Sequence, residues 1–333
     1  MSTLYDKVKG SEEHILDIGE GRQLAFAHNG PPASRVLVLS FTGLNSVGSV
    51  PDVPEPCREV GVHWIHPTLP GMGKSSARTP GDKYHVALVR DMTALLNHLY
   101  PTGDFDKLYL WGGSYGTVQA QMIYGAPYDR FPAGRKIAGC VLEGGFSPFK
   151  YHVDYASTLT WHSWISVGPP SQFIPFHILQ RSVSTVLASK FKTLDGAKRV
   201  LDQILFSKMD GDERKKLAEF LANKGQTKEE FIEAFAKGGI RCCEQWGGFH
   251  EVSDVIHSDW GFEPAKLDDD HASRPVLIVG SDKDPQGGST NGWLAANYKT
   301  SRLKTVPGGH LASLYYQDET WREIFEMSRE GGL

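Results

Sequence analysis

The stretch at residues 109–118, YLWGGSYGTV, constrains this chain more than any other. An apolar run meets a helical pattern, with Gly112-Gly113-Ser114-Tyr115-Gly116 at the junction. This is a G-x-S-x-G pentapeptide in the context its mechanics require: strand, sharp turn, helix. Glycines two residues before and two after the serine remove side chains that would collide where strand meets helix. The spacing predicts Ser114 at the tip of a strained turn, with Gly112 and Gly116 as the pair that permits it. Gly113 occupies a variable position of the pattern. The chain holds 36 glycines, so the pentapeptide alone is weak, and a plain glycine-rich turn is the alternative.

The flanking sequence favours the constrained turn. Short apolar runs at residues 35–41 (RVLVLSF), 61–67 (GVHWIHP), 107–112 (KLYLWG) and 136–145 (KIAGCVLEGG) read as buried strands. Residues 85–101 repeat apolar positions at helical spacing, and SYGTVQAQMIYGA reads as a helix after Ser114. Strand and helix in alternation imply a mostly parallel central sheet flanked by helices. The alternation stops near Ser147 and resumes near residue 273, with RPVLIVGSDKDP and RLKTVPGGHLAS as late strands and turns. The predicted organisation is a core of residues 1–146 and 273–333, with a helical insertion at 147–272. Three amphipathic helices are readable in the insertion, the last opening on a Thr227–Glu230 capping box and ending at glycines. Ahead of them cluster Tyr151, His152, Tyr155, Trp161, His162, Trp164, Phe173, Phe176 and His177. They suit either a small helical core or the inner face of a lid.

A serine hydroxyl is a poor nucleophile without a base, and the base needs a carboxylate to orient it. On a sheet of this kind the order expected is serine, acid, histidine, each near a strand's C-terminal edge. Asp284 follows VLIVG, and His310 follows a strand ending in TVPGG. Asp282 and Glu143 are alternative acids. The oxyanion formed during acyl transfer needs backbone donors. The Tyr115 N–H, just after the serine, and the Leu44 N–H in the loop SFTGLNSVGS are the candidates. Gly43 lets that loop turn inward, and the side chains of Thr42 and Asn45 either add hydrogen bonds or only satisfy the loop. The segment PGMGKSS lacks the first glycine of a phosphate loop, since Thr68 stands there, and is read as a tight turn.

Together these residues resemble the α/β-hydrolase superfamily across the whole chain. HPTLPGMGKSS is similar to the family's D-x-P-G-x-G-x-S turn, with Thr68 in place of Asp. FTGLNS stands where the His-Gly oxyanion loop is usual, with Thr42 in place of His. The resemblance implies an α/β-hydrolase fold with a cap inserted at 147–272. GGSYGT, GGIRCCEQW, SDKDPQGGS and GGHLAS look like the proline iminopeptidase and tripeptidyl aminopeptidase group. In that group acidic cap residues hold the substrate's amino group. Glu244 is the counterpart the resemblance suggests, and Trp246 and Gly43 join it as substrate-binding candidates.

The formal net charge of −4 and the absence of a basic stripe argue against a nucleic-acid partner. Cys57, Cys140, Cys242 and Cys243 suggest no disulfide framework or metal spacing. The polar N-terminus lacks a signal-peptide core, and no apolar run reaches membrane-spanning length. The expectation is therefore a cytoplasmic serine hydrolase needing no cofactor or metal, acting on a small molecule or short peptide. An aminopeptidase, an acyltransferase and a non-catalytic binding protein are the alternatives.

Overall fold

A computed structural model describes residues 12–157, 159, 161–174, 177–284 and 288–333. Phe176, Pro285 and the first eleven residues lie outside the described set, as does the side chain of His162.

Eight strands form one sheet in the order β1-β2-β4-β3-β5-β6-β7-β8. They are β1 (His14–Gly19), β2 (Arg22–Asn29), β3 (Val36–Phe41), β4 (His63–Pro67), β5 (Lys107–Gly113), β6 (Ile137–Glu143), β7 (Val276–Ser281) and β8 (Ser301–Val306). β1 pairs antiparallel with β2, and β2 antiparallel with β4. Every pairing from β4 to β8 is parallel. The late six strands match the strands read from the sequence. The β1–β2 hairpin was not readable there, because β1 alternates half-buried and exposed positions, with Ile15 exposed, and forms no continuous buried apolar run.

Helices cover both faces, as parallel strands buried on two sides require. They are α1 (Glu55–Val60), α2 (Tyr84–Leu99) and α3 (Gly116–Tyr124) before β6, and α12 (Gly288–Asn297) and α13 (Gln317–Glu330) after β7. Side chains alternate along each strand. On β5, Leu108 and Leu110 join the core under α2 and α3. Tyr109 and Trp111 join the core under α13 with Trp321.

Between β6 and β7 the chain forms α4 (Trp161–Ser166), α5 (Ile178–Lys190), α6 (Leu194–Leu201), α7 (Gly211–Asn223), α8 (Lys228–Cys242), α9 (Gly247–His250), α10 (Val252–His257) and α11 (Asp269–Ala272). The capping box at Thr227 and Glu230 is present, with the Glu230 N–H donating to Thr227 Oγ1 at 3.2 Å. One expectation is corrected: α8 does not stop at its glycines but runs through Gly238 and Gly239 to Cys242. Gly239 is a packing glycine, because a Cβ there would lie 2.4 Å from the Phe191 ring. Among the aromatics, Phe149 and Tyr155 stack at 3.6 Å, and His152 stacks on Trp293. Trp161 and Phe173 are instead largely exposed.

The segment after α8 is fastened to the loop at residues 70–76. The Gly248 N–H donates to the Gly71 carbonyl at 2.8 Å, and the Gly73 N–H to the Cys242 carbonyl at 3.2 Å. Lys74 of the same loop pairs with Glu13, which also binds Arg241 of α8.

Candidate active site

Ser114 occupies the tight turn between β5 and α3 with φ 51°, a left-handed conformation that costs a non-glycine residue about 1–3 kcal/mol. Its surroundings over-determine that conformation. The Ser114 N–H donates to the Glu143 carbonyl at 2.8 Å. The Ser114 carbonyl accepts from the Thr117 N–H at 3.0 Å and from Thr117 Oγ1 at 2.7 Å. The two flanking glycines are compulsory. A Cβ on Gly112 would lie 2.6 Å from the Gly116 carbonyl oxygen, and one on Gly116 would lie 2.0 Å from the Phe41 carbonyl oxygen. A Cβ on Gly113 would meet only the Trp111 ring, a side chain.

His310 follows β8 and its glycine turn. Its Nε2 is 3.0 Å from Ser114 Oγ, and its Nδ1 is 2.7 Å from Asp284 Oδ2. Asp284 lies beyond β7 with its side chain only 1% exposed. Burial lowers the His310 pKa, but the hydrogen bond and charge of Asp284 outweigh it and leave the imidazole raised above its usual 6.5. The imidazole is thus placed to hold a proton taken from Ser114, with the carboxylate stabilising the charged ring.

The other candidates sort by position. Asp282 is not on His310. Its Oδ1 accepts from the Gly308 N–H at 2.8 Å and so shapes the turn that presents the histidine. Glu143 is buried, with both carboxylate oxygens 2.8 Å from the Gln317 amide nitrogen. Burial pushes its pKa up to about 7, against the opposing pull of hydrogen bonds. Gly43 lies against the serine, since a Cβ on it would be 3.2 Å from Ser114 Cβ and 3.6 Å from Oγ. The loop carrying Leu44 therefore borders the Ser114 side chain. Tyr115 precedes the first turn of α3, and its N–H and that of Leu44 make no hydrogen bond among the described residues. Free N–H groups at a helix N-terminus favour negative charge.

Thr68 finds a use of its own: its hydroxyl accepts from the Gly48 N–H at 2.8 Å and pins the end of the loop after β3. Glu244 is exposed at the end of α8, on the side of Lys74. Trp246 is half-buried and packs edge-on against Phe249. No hydrogen bond, ion pair or ring contact joins either of them to Ser114 or His310 among the described residues. Besides Asp282, a second carboxylate approaches the histidine turn, Glu213 of α7, which sequence reasoning missed. It is 8% exposed, and Cβ atoms built on Gly308 and Gly309 would lie 3.3 and 3.4 Å from its Oε1. It sits inside a charged run, DGDERKK, that reads as a solvated helix start. Thr117 was also missed, because its part is to hold backbone. Among the described residues no group of three or more His, Cys, Asp or Glu side chains is arranged to hold a metal ion.

Comparison with known proteins fits this geometry. Residues 48–326 match the alpha/beta hydrolase family. No curated protein sequence matches the chain. Among solved structures, the chain is similar to a thermophilic esterase from Thermogutta terrifontis at 17% identity and TM-score 0.56, covering 96% of this chain and 99% of the other. It is similar to 2-hydroxy-6-oxo-6-phenylhexa-2,4-dienoate hydrolase from a Rhodococcus species at 15% identity and TM-score 0.54, with coverage of 96% and 99%. It is also similar to an esterase from Exiguobacterium antarcticum at 13% identity and TM-score 0.51, with coverage of 97% and 100%. At these identities the structural likeness speaks for the fold alone. With the family match spanning most of its length, the chain belongs to the alpha/beta hydrolase family.

Proposed function

We propose that the protein is a serine hydrolase that cleaves a carboxylic ester, lactone or amide bond of a small, partly apolar substrate. The observation that carries this reading is the unbroken chain from Asp284 through His310 to Ser114, set on a turn whose strain the backbone maintains. Ser114 Oγ attacks the carbonyl carbon as His310 Nε2 takes its proton. The Tyr115 and Leu44 amides receive the oxyanion. His310 then passes the proton to the leaving group, and a water activated by the same imidazole releases the acyl group. The helices between β6 and β7 form the cap of this site. The cytoplasm suits the chemistry, and all four cysteines are free thiols. No described helix is long and apolar enough to cross a membrane.

The test is labelling with a fluorophosphonate probe. Wild-type protein is expected to label at Ser114 and to turn over p-nitrophenyl esters. Ser114→Ala should abolish labelling and reduce kcat by about 10⁶-fold. A folded wild-type protein that takes no label would overturn the reading.

A second reading, an aminopeptidase-like specificity, is favoured by Glu213. This buried carboxylate beside the His310 turn has no hydrogen-bond or ion-pair partner among the described residues, and a substrate ammonium would supply one. Glu213→Gln is expected to raise KM for aminoacyl anilides while leaving simple acyl esters unaffected. Equal effects on both substrate classes would remove this reading.

A further inference from the structure

Glu143 and Gly144 touch every member of the Ser114–His310–Asp284 chain. The Glu143 carbonyl accepts the Ser114 N–H at 2.8 Å. Gly144, at φ 54°, packs so closely that a Cβ would lie 3.4 Å from Asp284 Oδ2 and 3.6 Å from His310 Nδ1. The Glu143 side chain points to the opposite face of β6. There the Gln317 amide nitrogen sits 2.8 Å from both carboxylate oxygens, and Gln317 Oε1 accepts from Trp321 Nε1 at 3.1 Å. Trp321 is fully buried, so the far end of this relay is fixed. Gln317 opens α13, directly after the short 3-10 turn Ala312–Tyr316 that follows His310.

The carboxylate thus clamps the strand end that holds the nucleophile's backbone to the chain segment just beyond the base. A carboxylate buried this deeply is costly unless its acceptors are used. A glutamine or an apolar residue would fill the same space at lower cost, so packing alone does not account for a glutamate here. The structure does account for it as an anchor.

We propose that Glu143 is a positioning residue: clamped by Gln317 and Trp321, it fixes the separation of Ser114 from His310. The inference rests on the serine-hydrolase reading. It goes beyond that reading by giving the residue a part outside the proton relay, since Asp284 already occupies His310 Nδ1. The clamp also senses pH. The groups acting on the Glu143 carboxyl are Trp111 of β5, Ser313 of the 3-10 turn and Gln317 of α13, none of them charged. Burial therefore dominates, and the group titrates at about 7. The protonated acid keeps only its carbonyl oxygen as a strong acceptor, so acidification weakens one of the two contacts to the Gln317 amide and loosens the clamp. His310 must also lose a proton to act as base. Two protonations then depress activity on the acid side, and the limb is steeper than one proton gives.

The experiment measures fluorophosphonate labelling rate, kcat and KM for p-nitrophenyl acetate from pH 5 to 9, with thermal melting as the fold control. Glu143→Gln is expected to lower kcat and labelling by about 10²-fold with KM unchanged, the scale of a small misplacement far from the chemistry. Its acid limb should fall to a one-proton slope. Gln317→Met removes the clamp without touching β6 and should give the same loss in kcat, so the test survives if Glu143→Gln does not fold. Folded variants that label at the wild-type rate with an unchanged acid limb would overturn the proposal. Failure of the wild type itself to label would instead strike the hydrolase reading, and the two failures are told apart by that single control.

Discussion

Two glycines flank Ser114, one two residues away on each side, helix α8 holds an adjacent pair, and the two pairs do different work. At Gly112 and Gly116 any side chain would enter backbone, with Cβ contacts of 2.6 and 2.0 Å to carbonyl oxygens. At Gly238 a Cβ would meet open space, and at Gly239 it would meet only the Phe191 ring. Backbone cannot yield without moving a strand, whereas a side chain can rotate. A wider contrast follows the same line. Around Ser114 the backbone is fixed by specific partners: its N–H by the Glu143 carbonyl and its carbonyl by Thr117. On α5 the buried positions are Gln180 and Ser184, while Ile178, Val183 and Val186 are exposed. The turn at Ser114 specifies its residues by contact, and α5 specifies its own far more loosely.

The largest expected break of this contrast lies at Asp284. Asp284→Asn should lower kcat/KM by about 10⁴-fold, through loss of the imidazole's orientation and charge partner. The direction of the pH change follows from the cause. In the proposed mechanism His310 acts as a base only when neutral, and its pKa is raised because Asp284 outweighs burial. Without that charge burial prevails, so the acid limb of kcat/KM should move to lower pH, as a pH–rate profile would record. Asp282→Asn keeps an acceptor for the Gly308 N–H and should stay within about tenfold of wild type, well below the loss from removing a triad partner. A reversed ranking would make Asp282 the functional acid.

Next in size is Gly116→Ala, expected to cost at least about 3 kcal/mol in chemical denaturation, because β3 backbone must shift. Gly238→Ala should instead stabilise by about 0.5–1 kcal/mol, the helix-propensity gain with no clash to offset it. A destabilised Gly238→Ala would show that α8 is packed as tightly as the turn. The smallest effect belongs to Val186→Thr, an exposed site where a change within about 0.5 kcal/mol is expected. A melting shift well beyond that would mean the α5 surface is covered in solution.

Much of this site could be read from residue types. Ser114 and Asp284 each follow an apolar run, His310 follows a strand ending in a glycine turn, and the glycine spacing around Ser114 marks a turn that most side chains would block. Glu143 was readable as a carboxylate at a strand end, but not as a ligand of Gln317. That contact spans 174 residues, and no local pattern encodes it. Glu213 was hidden for a related reason: in a charged helix start a buried carboxylate looks like its solvated neighbours. The β1–β2 hairpin escaped because β1 is an edge strand with one wet face, and its apolar residues do not form the continuous buried run that marks the central strands.

By itself the sequence determined the alternating layers, the constrained turn and the order of serine, acid and histidine. These follow from burial and backbone sterics, which act over a few residues. Only the tertiary structure decided which aspartate meets His310, which carboxylates are buried, and that Glu143 and Gly144 bring the three residues into one contact. Those outcomes depend on distances between segments far apart in the chain. Desolvation and hydrogen bonding are set by what packs there, not by the residue type alone.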